Sequence, residues 1–373
     1  MSSVFVTGST GFLGSHFLVN FLGTRFDRAF ALIRGETDAI RRGKLFDALR
    51  MAAASYADPV DVGALMDRIT IVKGDVSVPG FGVSEEALQS LQATDIGQFW
   101  HFAASLNYEE HRREMIKATN IDGAQHAAAF CKAAGGKHFV HISTAYTCGK
   151  GNGSVPEALH DPAQTQFNNY YEESKCWAEH ALAEACKQHG MALTIFRPSM
   201  VIGNSQTKVP AGSDTALYGF MREVRRLKAA LSGAQNTVRV LGMPEGEVNF
   251  IPVDQLMIDV GMVLDQGLKD GEIYHLASDF CPTTERSFAM VCEQLGMGNL
   301  KLVDRQAADG LNKLERVLDD KLSFYSSYIN TRKRFERKIA RAHGVSDIEL
   351  EAYVAEGERF LPTEQELQAS TSH

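Results

Sequence analysis

Residues 4–14 read VFVTGSTGFLG, and this stretch predicts the fold of the chain. Three apolar residues indicate a short buried strand, a glycine-rich turn follows, and an apolar-periodic helix begins near Phe12. Gly8, Gly11 and Gly14 let the backbone approach a pyrophosphate, and the helix after them offers unpaired N–H groups at its N-terminus. Because the spacing GxxGxxG differs by one residue from the GxGxxG dinucleotide fingerprint, a tight structural turn is the alternative explanation of these glycines.

Strands and helices alternate along the next part of the chain. Helix-like stretches such as 110–134 and 174–188 separate short apolar runs, which we interpret as strands two to six at residues 29–33, 69–72, 98–102, 138–142 and 193–196. This alternation is typical of parallel strands joined by helical crossovers, so we expect an α/β fold with a doubly wound, Rossmann-type parallel sheet. Two later runs, 238–241 and 273–276, are predicted to return to the same sheet.

The pattern of elements changes after Gly203. Residues 206–235 contain a polar loop and an Arg/Leu-rich helix, and from about residue 281 the chain is mainly helical. We therefore predict an NADP-binding Rossmann domain formed by residues 1–205 plus 236–280. Residues 206–235 plus 281–373 are predicted to form a smaller, mainly helical substrate-binding domain.

Composition excludes several classes of protein. Of 373 residues, 44% are apolar and 23% are charged, which is ordinary for a soluble globular enzyme. The net charge of −8 argues against a nucleic-acid binder, because phosphate affinity requires clustered cations. The chain has no apolar run of about 18 residues, so we expect no membrane span. Its six cysteines show no CxxC pair or metal-ligand spacing, which predicts a cytoplasmic protein without a metal site.

Tyr171 and Lys175 are the strongest candidates for catalysis. Four residues apart on a predicted helix, they share a face. A tyrosine with a pKa near 10 needs a shift of roughly 3 units, about 4 kcal/mol, to work at neutral pH. An ammonium about 4 Å away supplies about 4 kcal/mol at an effective dielectric near 20, so one lysine is sufficient. A surface Tyr/Lys pair is the alternative interpretation.

The residues around this pair complete the predicted catalytic set. Thr144, just after the fifth strand, is placed to donate a hydrogen bond to an oxyanion that forms as hydride arrives, and Ser143 is the close alternative. Lys175 is also expected to hydrogen-bond the nicotinamide ribose. Together with the glycine turn, Thr144, Tyr171 and Lys175 predict an enzyme that moves a hydride between a nicotinamide and a carbonyl carbon.

Arg34 decides the predicted cofactor. It ends the second strand, where an acid would hold the ribose 2′-hydroxyl of NAD and an arginine suits the 2′-phosphate of NADP. Glu36 lies beyond the strand end, so we favour NADP(H). A solvated strand-end cation is the alternative interpretation of Arg34, and Lys44 is a candidate second phosphate contact.

Further cofactor contacts are expected at the carboxyl ends of the strands, where open α/β sheets bind ligands. Residues after strand three are placed to meet the adenine, small residues after strand four leave room for the middle of the cofactor, and the loop after strand six lines the nicotinamide. The full predicted set is Thr7, Gly8, Ser9, Thr10, Gly11, Phe12, Leu13, Gly14, Arg34, Lys44, Asp75, Val76, Ala103, Ala104, Ser105, Tyr171, Lys175, Pro198, Ser199 and Val201.

Four more polar residues have two interpretations each. Asn120 either fixes the active-site helix or is a buried polar tie. His101, His138 and His141 lie on predicted strands, where core histidines with satisfied hydrogen bonds are expected more often than catalysts.

These segments as a set resemble the extended short-chain dehydrogenase/reductase family. Within it, the chain is most similar to the thioester-reductase branch: fatty acyl-CoA reductases of the male-sterility type, reductase domains of carboxylic acid reductases, and terminal reductases of peptide and polyketide synthases. The resemblance covers roughly residues 4–280. It rests on TGSTGFLG (7–14), ALIRG (31–35), GDVSVPGFG (74–82), ISTAY (142–146), YYEESK (170–175), RPSMVIG (197–203) and NFIPVD (249–254).

The resemblance implies that a triad of Thr144, Tyr171 and Lys175 reduces an acyl thioester to an aldehyde, and with a second hydride to the alcohol. No adenylation or carrier segment is evident in the chain, so we expect the acyl group to arrive on coenzyme A or on a separate acyl or peptidyl carrier protein. Six cations between residues 332 and 341 predict a basic helix that would dock such a partner. A solvated helix face is the alternative interpretation of this charge run.

Two other functions are compatible with the same motifs. A sugar-nucleotide epimerase or dehydratase, or a hydroxysteroid-type dehydrogenase, would share the turn and the Tyr/Lys pair. An epimerase would favour an acid where Arg34 stands. A catalytically silent NADP sensor would keep the turn but would not need an activated tyrosine.

Overall fold

The structure is a computed structural model of the chain. It describes residues 2–107, 109–231, 237–305, 309–322, 325, 328, 331–363 and 366–367. Parts of both predicted substrate-side segments therefore lie outside the described residues.

The described strands are β1 (Ser3–Thr7), β2 (Arg28–Ile33), β3 (Ile69–Lys73), β4 (Ile96–His101), β5 (His138–Ile142), β6 (Gly153–Val155), β7 (Ala192–Pro198), β8 (Met200–Ile202), β9 (Val238–Gly242), β10 (Phe250–Pro252), β11 (Glu272–Leu276), β12 (Leu300–Asp304) and β13 (Lys333–Phe335). The described α-helices are α1 (Phe12–Phe21), α2 (Asp38–Ala53), α3 (Val62–Asp67), α4 (Glu85–Gln92), α5 (Arg113–Lys117), α6 (Gly123–Ala133), α7 (Tyr170–His189), α8 (Ala216–Leu231), α9 (Val253–Gln266), α10 (Thr284–Gln294), α11 (Lys313–Lys321) and α12 (Asp347–Arg359).

A seven-stranded parallel sheet forms the centre of the molecule, in the spatial order β3-β2-β1-β4-β5-β7-β11. The strand order reverses between β1 and β4, which creates the crevice where doubly wound sheets bind their ligands. The predicted α/β fold with a doubly wound parallel sheet is confirmed.

Successive residues of each strand point to opposite sides of the sheet, so both faces carry buried apolar side chains. Helices cover both faces. On one face, Val4 and Trp100 pack with Phe17 of α1 and Leu256 of α9. On the other face, the ring of Phe99 stacks between those of Phe5 and Phe139, at centroid distances of 4.6 and 5.3 Å. This second face packs against α6 and α7 and thereby sets the position of the helix that carries Tyr171 and Lys175.

Of the two later runs that were predicted to return to the main sheet, one joins it and the other does not. Residues 272–276 form β11 beside β7, as the sequence predicts. Residues 238–242 form β9, which instead pairs with β12 in a separate two-stranded sheet, so the predicted return of this segment to the main sheet is wrong. Val240 of β9 is buried in a second apolar cluster with residues of α8, α10 and α12, which explains why β9 is not part of the main sheet. The domain boundaries themselves stay a prediction.

The predicted basic helix at residues 332–341 is also wrong. Residues 333–335 form β13, which pairs with β6, and alternate side chains from Thr331 to Phe335 are buried. Beyond this strand, the guanidinium groups of Arg337 and Arg341 contact the fully buried carboxylate of Asp259 on α9. Tertiary ion pairing, rather than helical periodicity, therefore determines this segment.

Helices of the described residues are all too short or too polar to cross a membrane.

Candidate active site

The glycine turn lies at the crevice between β1 and β4, and its shape requires glycine. Gly8 has φ of +70°, and a Cβ at this position would lie 2.6 Å from the backbone nitrogen of Ala103. A Cβ at Gly14 would lie 2.3 Å from the carbonyl oxygen of Gly8. Gly11 caps α1 without a side-chain hydrogen bond, so the first N–H groups of the helix are not satisfied by a cap. This cradle of close backbone and free N–H groups fits the pyrophosphate of a dinucleotide.

One cavity of about 710 Å³ joins the glycine turn to the predicted catalytic residues. The three side chains of the predicted triad line it together with most of the turn and the loop after β7. Among the predicted site residues, those that line the cavity are Gly8, Thr10, Gly11, Phe12, Leu13, Gly14, Ala104, Ser143, Thr144, Tyr171, Lys175, Pro198, Ser199 and Val201.

Four other predicted contacts lie beneath or beside the turn rather than on the cavity wall. Thr7 and Ser9 are buried. The backbone nitrogen of Ala103 is 3.4 Å from the hydroxyl oxygen of Thr7, and Ser105 is held by Asn120. These four residues are therefore near the turn but do not line the described cavity.

The residues predicted to select the cofactor are grouped at the ends of β2 and β3, away from the catalytic end of the cavity. The Arg34 side chain is 76% exposed, and its guanidinium lies 3.7 Å from the carboxylate of Asp75. Lys44 of α2 donates a hydrogen bond to the carbonyl oxygen of Arg34 at 3.2 Å, and Val76 follows Asp75. Arg34 is therefore positioned at a strand end with its charge turned to solvent.

Tyr171 and Lys175 lie on the first turns of α7, which begins at Tyr170 and thus four residues earlier than predicted. Asn169 caps this helix, because its side chain accepts a hydrogen bond from the backbone nitrogen of Glu172. The ammonium of Lys175 donates to the carbonyl oxygen of Ile142 at 2.6 Å and lies 3.3 Å from Nε2 of His141. Burial lowers the pKa of Lys175 to about 7, although the carboxylate of Glu179 opposes the shift.

Tyr171 does not have the lowered pKa that the sequence argument expects. Burial raises the pKa of its phenol above the ordinary value, and the neighbouring carboxylate of Glu172 raises it further. The sequence argument assumes a fixed ammonium charge, whereas burial of Lys175 favours its neutral form. The phenol is consequently held in its protonated form, which is the form that donates a proton.

Thr144 and Ser143 both line the cavity at the end of β5. The hydroxyl oxygen of Thr144 accepts a hydrogen bond from the backbone nitrogen of Tyr146 at 3.3 Å, which leaves its O–H free to donate. The hydroxyl of Ser143 is buried and has no hydrogen-bond partner among the described residues. Each hydroxyl can thus donate to a ligand, and the assignment of this role to Thr144 stays a prediction.

Asn120 connects the loop after β4 to the active-site helix. Its side chain accepts from the backbone nitrogen of Ser105 at 2.7 Å and donates to the hydroxyl of Ser174 at 2.9 Å. Asn120 lies in a single π-helical turn, Ala118–Asp122, a distortion common at functional sites. Since Ser174 immediately precedes Lys175, Asn120 holds the part of α7 that carries the lysine.

The far end of the cavity is formed by residues that sequence reasoning did not identify. Phe220 of α8 contacts the rings of Phe288 and Tyr325 at centroid distances of 5.8 and 5.4 Å. Arg222 and Arg226, one turn apart on α8, also line the cavity. Their i, i+4 spacing is visible in the sequence, but only packing of α8 shows that this face lies on the cavity.

The two arginines share a single carboxylate. Glu223 lies 2.5 Å from Arg226 and 4.0 Å from Arg222. The Nε of Arg222 is buried without a hydrogen-bond partner among the described residues. This end of the cavity therefore combines an aromatic wall with two guanidinium groups, and the carboxylates of Asp214 and Glu223 also line it.

A family profile described as male sterility protein matches residues 6–259. Over 216 residues the chain is 28% identical to the nonribosomal peptide synthetase asaC of Aspergillus flavus, which covers 54% of this chain and 20% of that protein. Over 248 residues it is 26% identical to the fatty acyl-CoA reductase wat of Drosophila melanogaster, which covers 58% of this chain and 46% of that protein. The chain thus spans less than half the length of these two relatives.

Two solved structures show the fold that the chain shares with other proteins. The terminal R domain from the myxalamid PKS-NRPS biosynthetic pathway has a TM-score of 0.73 and 21% identity, covering 97% of this chain and 92% of that one. A UDP-glucuronic acid 4-epimerase from Bacillus cereus in complex with NAD has a TM-score of 0.62 and 17% identity, covering 96% of this chain and 99% of that one. At these identities the likeness shows the fold alone.

Proposed function

The chain belongs to the male sterility protein family, and on this premise we propose that it is an NADPH-dependent oxidoreductase that reduces an acyl thioester. The observation that carries the proposal is the single cavity that joins the glycine turn, the three predicted catalytic side chains and an aromatic pocket with two arginines. Two sequence relatives, a nonribosomal peptide synthetase and a fatty acyl-CoA reductase, support the choice of reaction.

The residues of the chain would hold the cofactor at three points. The backbone of the glycine turn and the N-terminus of α1 would hold the pyrophosphate, and Arg34 would hold the 2′-phosphate of the adenosine ribose. When bound, NADPH supplies a hydride. Lys175 lines the cavity beside Tyr171, where its free N–H would orient the ribose next to the nicotinamide.

On the substrate, Thr144 and Tyr171 would stabilise the carbonyl oxygen as it becomes negatively charged. Their O–H groups donate hydrogen bonds that strengthen as charge develops. Hydride adds to the carbonyl carbon, and the carbon–sulfur bond breaks with its electron pair on sulfur. The aldehyde is released together with a thiolate, which takes up a proton from solvent to give the thiol. In a second round the protonated phenol of Tyr171 would give its proton to the aldehyde oxygen, forming the alcohol.

The first experiment is to follow NADPH oxidation by the purified protein with a panel of acyl-CoAs and the matching aldehydes, with products identified by mass spectrometry. Oxidation with release of one free thiol per acyl-CoA is expected. Turnover of aldehydes alone would contradict thioester reduction and identify a carbonyl reductase. A protein that retains tightly bound NAD and turns over neither substrate would support the epimerase alternative instead.

Arg34→Ala is expected to weaken NADPH binding by about 10- to 150-fold and to leave NADH binding nearly unchanged. The range corresponds to the loss of one hydrogen bond to a charged group. Fluorescence titration of both cofactors measures the two affinities. Arg28→Ala, at the opposite end of the same strand, is the matched control and should change neither. An equal loss for NADPH and NADH would show that Arg34 does not read the 2′-phosphate.

We assign the binding of the acyl-carrying partner to different cations from those that the sequence predicted. Within residues 332–341, Arg337 and Arg341 pair with Asp259, and Lys333 is buried. This leaves few of the six charges for a partner. Arg222 and Arg226 line the cavity itself, where they would bind the phosphate of a pantetheine arm, on coenzyme A or on a carrier protein.

Arg222→Ala combined with Arg226→Ala is expected to raise KM for an acyl-phosphopantetheine by about 10-fold or more, because charge-assisted hydrogen bonds to the phosphate are lost. The KM for the same acyl-pantetheine without phosphate should stay within about twofold. Steady-state kinetics with this pair of substrates isolates the phosphate contact. Arg225→Ala is the control, since Arg225 lies on the same helix but pairs with Glu358 at 2.8 Å. A similar loss for both substrates would refute the phosphate assignment while leaving thioester reduction intact.

A further inference from the structure

A row of buried polar side chains leads from the glycine turn to the predicted catalytic lysine. Thr7 of β1 pairs with His101 of β4, and His101 pairs with His141 of β5. Directly paired residues of neighbouring strands point to the same face of a sheet, so the three side chains lie side by side. All three are buried, and so is Lys175.

The contacts along this row are close and continuous. The hydroxyl oxygen of Thr7 lies 2.8 Å from Nδ1 of His101. The rings of His101 and His141 are nearly parallel, with centroids 5.6 Å apart. Nε2 of His141 lies 3.3 Å from the ammonium nitrogen of Lys175, which also donates to the carbonyl oxygen of Ile142 at 2.6 Å.

The two histidines are not the fully satisfied core histidines that the sequence suggests. Nε2 of His101 and Nδ1 of His141 are buried and have no hydrogen-bond partner in the described part of the chain. A phenylalanine would fill either position without leaving a buried nitrogen unpaired, so packing alone does not explain the imidazoles. His138, on the same strand, does have a partner in the hydroxyl of Thr194 at 2.8 Å.

Both imidazoles are neutral at neutral pH. Burial lowers the pKa of His101 to about 3 and that of His141 well below its ordinary value, and a charge on Lys175 lowers both further. A neutral His141 can therefore accept a hydrogen bond from the ammonium of Lys175.

Among the residues that the structure describes, α7 and β7 carry the other charged and titratable groups next to the lysine. Tyr171 lies one turn before Lys175 and stays protonated. Glu179, one turn after it, favours the ammonium, but this carboxylate is already bound by Arg197 of β7 through two hydrogen bonds of 2.9 and 2.6 Å. The neutral acceptors of β5 therefore provide the direct contacts of the ammonium.

We propose that His141 is a positioning residue that keeps Lys175 charged and oriented for the reaction. Its Nε2 and the Ile142 carbonyl oxygen accept hydrogen bonds from two of the three ammonium N–H groups, and this arrangement directs the third N–H toward the cavity. Thr7 and His101 hold the His141 ring in place from the side of the glycine turn. The inference rests on the proposed function only for the use of the charge, because the charge itself can be measured in the protein without cofactor or substrate.

The test is the titration of Lys175 in His141 variants. The protein is labelled with [ε-13C]lysine, and the resonance of Lys175 is assigned by its absence in Lys175→Arg. In the parent protein the resonance should titrate near pH 7. His141→Phe removes the acceptor and is expected to lower the pKa of Lys175 by roughly one to two units, the equivalent of one hydrogen bond to a charged group. His141→Gln, which restores an acceptor, should bring the pKa back to within about half a unit. His138→Phe, on the same strand, should leave it unchanged.

An unchanged Lys175 pKa in His141→Phe would overturn the proposal, since burial alone would then set the charge. If His141→Phe does not fold, His141→Met removes the nitrogen with a smaller change in volume and decides the question in the same way. The alkaline limb of the pH profile for kcat should move down together with the lysine pKa. If the titration shifts as expected but no thioester is reduced by any variant or by the parent, the positioning role stands and the proposed function fails.

Discussion

Tyr171→Phe is expected to lower kcat for thioester and aldehyde reduction by about 10²- to 10⁴-fold, the range typical for loss of a general acid or oxyanion donor. The phenol lies in the same cavity as Lys175 and the glycine turn. Burial and the neighbouring Glu172 raise its pKa, so the group is a proton donor over the whole accessible pH range. Phenylalanine keeps the ring and removes only the hydroxyl.

NADPH affinity should stay unchanged in Tyr171→Phe, because in the proposed function the glycine turn and Arg34 would provide the main cofactor contacts. Stopped-flow or steady-state kinetics gives kcat, and fluorescence titration gives the affinity. Tyr170→Phe is the matched control. Tyr170 is the residue before Tyr171 and is buried. The guanidinium carbon of Arg113 lies 4.0 Å from the centroid of its ring, and Tyr170 does not line the described cavity. Equal effects of the two substitutions, or full activity of Tyr171→Phe, would exclude Tyr171 as the catalytic acid. A parent protein that binds NADPH but turns over no carbonyl substrate would instead be a sensor.

Asp259→Ala is expected to reduce the free energy of unfolding by about 3–5 kcal/mol, the typical effect of removing one partner from a buried ion pair. The carboxylate of Asp259 is fully buried on α9 and contacts Arg337 at 3.0 Å, Arg341 at 2.8 Å and His343 at 2.9 Å. Without it, the exposed Asp279 is the one acidic partner that the nearly buried guanidinium of Arg337 keeps among the described residues. The segment from 337 to 343 would lose its ion pairs with α9.

Urea unfolding monitored by circular dichroism measures this loss. Asp265→Ala on the same helix is the control, because Asp265 pairs with Arg25 at the surface, at 2.8 Å. Such exposed pairs contribute about 0–1 kcal/mol, so the free energy of unfolding of the control should be close to that of the parent protein. If Asp259→Ala were as stable as Asp265→Ala, the network would not hold the carboxyl-terminal segment.

Local sequence was sufficient to predict the nucleotide-binding half of the molecule. Strands, the glycine turn and the first helix follow from residues within about ten positions of one another, so the segment VFVTGSTGFLG predicts all three by itself. The shared face of Tyr171 and Lys175 is equally local, because it follows from helix geometry alone. The carboxyl ends of parallel strands meet at one edge, which explains why the predicted triad and most of the predicted turn lie on one cavity.

Long-range packing decided the features that the sequence prediction missed or misjudged. Residues 332–341 have the charges of a basic helix. However, the guanidinium groups of Arg337 and Arg341 bind the buried carboxylate of Asp259, which lies 78 positions before Arg337. Residues 238–242 have the apolar pattern of a core strand, but they pair with β12 because the second apolar cluster provides a partner. For residues 238–242 the strand was predicted correctly and its partner strand was not, whereas for residues 332–341 the predicted helix itself was wrong.

The chemistry of the site divides in the same way. The sequence by itself determined the doubly wound fold, the position of the glycine turn and the identity of the candidate acid and lysine, because these depend on backbone conformation and short spacings. Only the tertiary structure decided the protonated state of Tyr171, the contact of His141 with Lys175 and the place of Arg222 and Arg226 on the cavity. Those properties depend on burial and on the distances between residues far apart in the chain, and neither quantity is contained in a local pattern.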